Sequence, residues 1–258
     1  MSAGFRLVTY NFLTGGSERR GGHWSHLLDA FSPDVVFAQE CRPPEDSPGE
    51  VFRPGAADAF HWCAARAGRW GSAVLVRSAR LTPIDVPDYA GWVVGGEIDG
   101  LDGLSGRPLR LFSIHCPAGA GGYVRTLHRI LDRLAPLGED ADLVLGGDFN
   151  VVVGTRLPGA PIKVTRGERE LLERLADELG LTSCWQAANP GRPLAQTLRW
   201  SGNRSAPYHC DGIFVPAAWR ARLEACEVAQ GPPWDRLSDH NPVVATFAPL
   251  AEAVPADG

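Results

Sequence analysis

Short apolar runs that each stop on a polar residue give this chain its pattern. Residues 6–12, RLVTYNF, are β-branched and aromatic and read as a strand carrying Asn11 at its end, before a Gly-rich loop at Thr14-Gly15-Gly16-Ser17. Trp24, Leu27, Leu28 and Phe31 recur at helical spacing, and Ser32-Pro33 stops that helix. Residues 34–40, DVVFAQE, form a second apolar run, ending on Gln39-Glu40. A carboxylate there is costly unless paired or bound to a cation.

Residues 41–54 are polar and Pro-rich and read as a loop. Residues 59–65, 71–77, 81–86 and 92–98 then read as short strands broken by Gly, Pro and Asp, a spacing that favours antiparallel pairing. Residues 109–115, LRLFSIH, end on an imidazole. A helix follows Gly121-Gly122, with Val124, Leu127, Ile130, Leu131 and Leu134 on one stripe. The run Leu143-Val144-Leu145 leads into Gly146-Gly147-Asp148-Phe149-Asn150; taken alone, that ending is equally a strand closing in a local Asx turn. Residues 168–179 read as an amphipathic helix with Gly180 as its C-cap, 197–200 as a short strand, 210–215 as a strand with Asp211 near its start, and 223–228 as another. Ser238-Asp239-His240-Asn241-Pro242 introduces a last strand at 243–247, and the tail from about residue 249 frays.

Composition narrows the class. At 258 residues and 44% hydrophobic, the chain builds one large core, expected as a single domain over 1–258. A net charge of −5 and a pI near 5.8 argue against an obligate nucleic-acid coat protein. Lys163 is the only lysine. The six cysteines are scattered without C-x-x-C or zinc-like spacing, which points to reduced thiols and a cytoplasmic protein. No basic-then-apolar leader and no window near 18 apolar residues indicate export or membrane insertion.

The polar endings are the candidate chemistry. Asn11, Glu40, His115, Asp148 with Asn150, Asp211, and Asp239 with His240 stand at the edges of separate strand-like runs, and each is of metal-ligand or proton-transfer type. That pattern describes an active site on a sheet rim. TYN at 9–11, SPDVVFAQE at 32–40, FSIH at 112–115, GGDFN at 146–150, CDGIFV at 210–215 and LSDHNPV at 237–243 resemble, in order and spacing, the endonuclease/exonuclease/phosphatase superfamily. Its branches include pancreatic-type deoxyribonucleases, abasic-site endonucleases, neutral sphingomyelinases and inositol-polyphosphate phosphatases.

The resemblance implies an α/β fold, a four-layered α/β/β/α sandwich of two mixed β-sheets with the site at one open end. It implies Mg2+, with Mn2+ an alternative. Glu40 is then the principal metal ligand, with Asp239 and Asn11 near the same ion, an oxygen set suited to either. Asp148 corresponds to the carboxylate that orients or deprotonates water, Asn150 to an amide on the phosphate, His240 to a phosphate-facing imidazole, Asp211 to its carboxylate partner, and His115 to a second imidazole. Whether Asp148 or His240 is the base stays open.

There are departures. Leu13 stands where the abasic-site branch has an acid. Trp70-Gly71-Ser72 offers no acid where pancreatic-type nucleases supply one to the second histidine. His209-Cys210 replaces a basic residue often found before Asp211. Trp24, Trp62, Trp92 and Trp185 are expected in the core. Arg42 is a candidate phosphate contact, and Trp200, Arg204, His209, Trp234 and Arg236 could shape a substrate pocket. The expectation is a magnesium-dependent phosphoesterase hydrolysing a phosphodiester by in-line attack of water. The acidic pI favours a small or lipid-like ester. A nuclease on DNA or RNA is the alternative, and a further rival is the same fold redeployed for non-hydrolytic chemistry or ligand binding.

Overall fold

The computed structural model describes residues 4–14, 21–65, 68–99 and 106–249. Gly15, Gly16 and Ser17 of the expected Gly-rich loop, and the tail from 250, lie outside the described residues. In chain order the elements are β1 (Phe5–Asn11), α1 (His23–Phe31), β2 (Val35–Cys41), β3 (Ala59–Ala64), β4 (Gly71–Val76), β5 (Arg80–Pro83), β6 (Val93–Asp99), β7 (Leu109–His115) and α2 (Gly122–Leu134). There follow β8 (Asp142–Asp148), α3 (Arg166–Glu173), β9 (Leu181–Ser183), α4 (Cys184–Ala188), β10 (Asp211–Pro216), β11 (Leu223–Val228), α5 (Trp234–Leu237) and β12 (Val243–Phe247).

Two six-stranded sheets result, ordered β11-β12-β1-β2-β4-β3 and β5-β6-β7-β8-β10-β9. Both are mixed: β1 with β2 and β7 with β8 run parallel, and the other pairs are antiparallel. The inner faces supply the central core, where Leu7, Phe37 and Val74 of one sheet meet Leu109, Leu111, Val144 and Ile213 of the other. Trp24 and Leu27 of α1 cover the outside of the first sheet over Val8, Val36 and Leu75. Leu127, Ile130, Leu131 and Leu134 of α2 cover the second over Phe112, Ile114 and Leu145. The layers are therefore helix, sheet, sheet, helix. Strands buried on both faces read as continuous apolar runs rather than alternations, which is why β8 is buried along its whole length.

Gly146 allows the sheets to approach closely at β8, since a Cβ there would lie 2.3 Å from the Phe37 ring. A buried polar bridge joins the sheets nearby. Gln39 Nε2 donates to Ser113 Oγ at 2.9 Å and to Thr9 Oγ1 at 3.2 Å, and Ser113 Oγ donates to Ala38 O at 3.0 Å. Each such bond contributes about 1 kcal/mol, and losing one partner inside the core costs more.

Several expectations are corrected. The strand expected at 81–86 is β5, which stops at Pro83, where the ladder lacks an N–H donor. Residues 197–200 form no strand, because Leu198 alone bridges, to Tyr208 and to His240. The helix expected at 168–179 starts earlier, at Arg166, behind a Thr165–Glu168 capping box, and Arg174–Glu178 widens into a π-turn before Gly180 at φ +65°. Trp24 is fully buried, whereas Trp62, Trp92 and Trp185 are only half-buried.

Candidate active site

The topology gathers the polar strand ends. Parallel pairing sends β1 and β2 the same way, and β7 and β8 likewise, with His115 in register with Asp148. The antiparallel strand β10 begins where β8 ends, which sets Asp211 opposite Asp148. β12 runs antiparallel to β1, so the segment preceding it, Ser238 to Asn241, arrives beside Asn11. Ser238 Oγ fixes the approach by donating to Asn11 O at 2.7 Å.

Two backbone irregularities aim the side chains. The ladder between β2 and β4 shifts register between Ala38 and Cys41, and Glu40 within this bulge adopts φ +46°. Asn150 adopts φ +55° one turn past β8. A left-handed conformation costs a non-glycine residue about 1–2 kcal/mol, more naturally met by Asn than by Glu. Local bonds hold both: Thr14 N–H donates to Glu40 Oε2 at 2.9 Å, and Asn150 N–H to Asp148 Oδ1 at 2.9 Å.

Asp148 is the centre. Asn11 Nδ2 donates to its Oδ2 at 3.0 Å and to Glu40 Oε1 at 3.3 Å. His115 Nε2 lies 3.5 Å from Glu40 Oε1 and 4.0 Å from Asp148 Oδ2. His240 Nε2 approaches from the other side, 3.8 Å from Asp148 Oδ2 and 3.9 Å from Asp239 Oδ1. Behind it, His240 Nδ1 lies 2.9 and 3.0 Å from the two oxygens of Asp211. Thr197 Oγ1 accepts from the N–H groups of Cys210 and Asp211 at 3.0 and 3.1 Å and so fixes the start of β10. The amide of Asn150 donates to Cys116 O at 3.0 Å.

Surroundings set the charges. Burial alone would lower the His240 imidazole, but the Asp211 and Asp148 carboxylates outweigh it and push it up to about 10. Burial pulls His115 down to about 4, against the pull of Asp148, and its Nδ1 has no hydrogen-bond partner. Burial raises the Asp148 carboxyl above the usual range, with His240 pulling the other way.

Asn11, expected near the ion, lies between Glu40 and Asp148. Its carbonyl oxygen accepts from Leu13 N–H at 2.9 Å, and its NH2 ties Glu40 to Asp148. Asp239 Oδ1, in contrast, is buried without a hydrogen-bond partner. A bare carboxylate oxygen on the same rim as Glu40 suits a hard divalent cation. A second grouping, Asp148, Cys210, Asp211 and His240, brings its ligand atoms within 4.8 Å of one another.

Of the expected substrate contacts, Trp200 shares a pocket of about 430 Å³ with Asn150, Tyr123, Lys163 and Tyr208. Arg204 and Arg236 are exposed, and the Arg42 guanidinium buries an Nε without a hydrogen-bond partner; none of the three is hydrogen-bonded to the carboxylate–imidazole cluster among the described residues. Trp92, expected in the core, lies against His115 at 5.0 Å between ring centroids, with Trp70 on it at 5.6 Å. Arg199 drew no attention in the sequence. Its guanidinium donates to Ser238 O at 2.6 Å, His240 O at 3.0 Å and Asn241 Oδ1, while its N–H donates to Asp239 O at 2.7 Å, so it holds the segment that carries Asp239 and His240.

A rim of carboxylates and imidazoles at the open end of paired mixed sheets defines the class: a metal-dependent phosphoesterase. The family model of the Endonuclease/Exonuclease/phosphatase family matches residues 8–240, and the chain belongs to that family, whose enzymes are hydrolytic phosphoesterases and generally require a divalent metal. An AP endonuclease from Archaeoglobus fulgidus superposes with a TM-score of 0.67 at 18% identity, over 94% of this chain and 99% of that one. The 3′ phosphatase NExo from Neisseria, bound to product DNA hairpin, gives 0.66 at 20% identity, over 94% and 99%. The endonuclease domain of TRAS1, a telomere-specific non-LTR retrotransposon, gives 0.59 at 17%, over 94% and 98%. At these identities the likeness establishes the fold. A 149 kDa uncharacterized protein of transposon TX1 from Xenopus laevis is 24% identical over 137 residues, which span 53% of this chain and 10% of that protein. Among the described residues, no helix is long and apolar enough to cross a membrane.

Proposed function

We propose that this protein is a magnesium-dependent phosphodiesterase acting on nucleic acid, cleaving by in-line attack of water. The observation that carries the reading is the contact chain from Glu40 through Asn11 and His115 to Asp148, and on through His240 to Asp239, each step between 3.0 and 4.0 Å. Mg2+ at Glu40 and Asp239 would neutralise phosphoryl charge, and Mn2+ suits the same donors.

The side chains divide the remaining work. His240 is held as an imidazolium by Asp211, so it is a poor proton acceptor at neutral pH and a good neutraliser of charge gathering on the phosphate oxygens. That leaves Asp148 as the base. Burial makes its carboxylate more basic, and the Asn150 N–H and Asn11 NH2 hold it in one orientation toward water. The Asn150 amide, which donates to Cys116 O at 3.0 Å, reaches a phosphate oxygen once that bond is exchanged.

The pocket supports a nucleic-acid substrate. Among the described residues, Tyr123 and Trp200 are two of the few large apolar side chains left exposed, at 38% and 51%, and both line it with Lys163. Lys163 also lines an adjoining groove with Arg156 and Arg169. Aromatic faces interleaved with cations suit bases and backbone phosphates, and a cleft can be locally positive on an acidic protein. The lipid-like substrate favoured on net charge draws no support from this surface. The test is metal-dependent hydrolysis of single- and double-stranded DNA, RNA, a chromogenic diester, a phosphomonoester and sphingomyelin. Magnesium-dependent cleavage of nucleic acid is expected, falling by about 10²–10⁴ in Asp148→Ala. Turnover confined to the monoester or the sphingolipid overturns the substrate assignment, and turnover without added metal overturns the cofactor.

A further inference from the structure

We propose that the indoles of Trp70 and Trp92 form a second nucleobase platform, on the His115 side of Asp148, which stacks the unpaired base next to the scissile phosphate. The inference rests on the nucleic-acid reading given above and extends it: the substrate is a strand whose bases are free on both sides of the cleaved bond.

The fold brings these rings together from the two sheets. Trp70 directly precedes β4 in the first sheet, and Trp92 directly precedes β6 in the second. The backbones touch between them: Gly91, at φ +74°, packs so closely on the end of β3 that a Cβ there would lie 2.2 Å from Ala64 O. Trp70 O accepts from Ala65 N–H at 3.0 Å, and Trp92 O accepts from His115 N–H at 2.7 Å, so both indoles spring from fixed backbone. The rings meet edge to face, 85° apart with centroids at 5.3 Å. They lie 5.6 and 5.0 Å from the His115 ring.

Indoles placed for packing alone are sealed, as Trp24 is. Trp70 and Trp92 are only half-buried, at the rim. Perpendicular rings offer a planar guest the face of one indole and the edge of the other, which is the geometry that aromatic pairs prefer. Position identifies the guest. His115 Nε2 lies 4.0 Å from Asp148 Oδ2, so a ring on this platform is one side chain away from the reacting phosphate. On the other side of Asp148, Leu198 bridges to His240 and lines, with Trp200 and Tyr123, the pocket that reaches Asn150. The phosphate is thereby bracketed by aromatic surface, and Arg69, exposed beside Trp70, offers a cation to the next phosphate along. A base stacks on protein only when its face is not already covered by a duplex neighbour, which selects single strands, loops and frayed ends.

The test uses the full chain and a substrate with one cleavable bond, dithymidine monophosphate, beside two versions in which a tetrahydrofuran replaces the nucleoside on the 5′ or the 3′ side. In the native protein, kcat/KM should fall by about 5–100-fold on loss of either base. Trp70→Ala should lose that factor on the full substrate and nothing further on one of the two abasic versions, while still responding to the other, whose missing base belongs to the Trp200 pocket. Trp70→Phe, which keeps a stacking face, should recover most of the loss. If Trp70 only steadies His115, Trp70→Ala lowers all three substrates alike, and that result overturns the proposal. A perfect duplex cleaved as fast as the same strand unpaired overturns it too. Binding gives a readout without turnover: in the Asp148→Ala background with Mg2+, a single-stranded thymidine decamer should bind about 5–100-fold more weakly once Trp70→Ala is added. Equal affinities, or no binding at all, overturn the platform whether or not anything is cleaved. Trp70-dependent binding by a native protein that hydrolyses no nucleic acid would instead remove the hydrolytic reading and leave the platform standing.

Discussion

Two imidazoles face Asp148 from opposite sides, and their other nitrogens meet opposite surroundings. His240 has Asp211 behind it at 2.9 Å. His115 has the indole rings of Trp92 and Trp70 around it, and its Nδ1 has no hydrogen-bond partner. Burial acts on both in the same direction, yet His240 rises to about 10 and His115 falls to about 4. The residue type and the depth are alike; the carboxylate at the back decides which ring carries charge. One side of Asp148 is therefore cationic and suited to phosphate, and the other is neutral and suited to orienting Glu40.

The largest effect should come from removing that asymmetry at its source. His240→Ala is expected to lower kcat by about 10²–10⁴, and His115→Ala by about tenfold. Asp211→Asn should lower kcat about 10²-fold and move the alkaline limb of the pH–rate profile to lower pH, since the imidazolium then loses its proton earlier. A pH–rate profile on any cleaved diester checks this. Equal losses in the two histidine variants would mean that the back partner does not distinguish them.

Next in size is the support of the cationic side. Arg199 binds the carbonyls of Ser238 and His240, so Arg199→Ala leaves buried acceptors without donors. The expected cost is about 2–3 kcal/mol of stability by denaturant titration, with activity falling further than magnesium affinity. Arg199→Lys should recover only part, because an ammonium cannot reproduce the planar fork.

Arg199 also marks where sequence reading stops. The strands were legible because the runs around Leu7, Phe37, Leu111, Val144 and Ile213 are apolar on both faces, and their polar endings showed which ends share a rim. Asp148, Asp211 and His240 follow from that logic, since antiparallel entry of β10 and β12 is enough to deliver them. Arg199 does not, because its partners are backbone carbonyls about 40 residues on, and a carbonyl leaves no mark in sequence. Trp92 read as core for a similar reason: an indole packing on leucine and one packing on the His115 imidazole have the same pattern. The π-turn at Arg174–Glu178 was hidden too, since Leu171 and Leu175 face inward either way.

A further effect falls on stability at low pH. His115 and His209 are both held near 4, by burial, against an ordinary value of 6.5. A histidine with a depressed folded value contributes stability that is complete above 6.5 and is lost as pH falls through the window from 6.5 to about 4, because the unfolded chain takes up the proton first. Each should cost on the order of 3 kcal/mol by the bottom of that window. His240 has the opposite sign: its contribution is complete below 6.5 and lost as pH rises toward about 10. Chemical denaturation of His209→Phe from pH 7 to 4 should show a shallower acid slope than the native protein. An unchanged slope would mean that His209 is not neutral in the fold.

The smallest expected change tests the comparison most directly, by making the two sides alike. Trp70 occupies the approach to His115 where a carboxylate could stand, so Trp70→Glu should supply the partner that Asp211 gives to His240. Burial still lowers the His115 imidazole, but a facing carboxylate raises it, by about one unit or more. The rise is readable by NMR titration of the His115 ring in metal-free protein, with His240 as internal control. A second imidazolium beside Asp148 would then repel the first, so the His240 value should fall slightly as His115 rises. If His115 does not move while the variant stays folded, the missing carboxylate is not what keeps that ring neutral, and burial under Trp92 alone accounts for it.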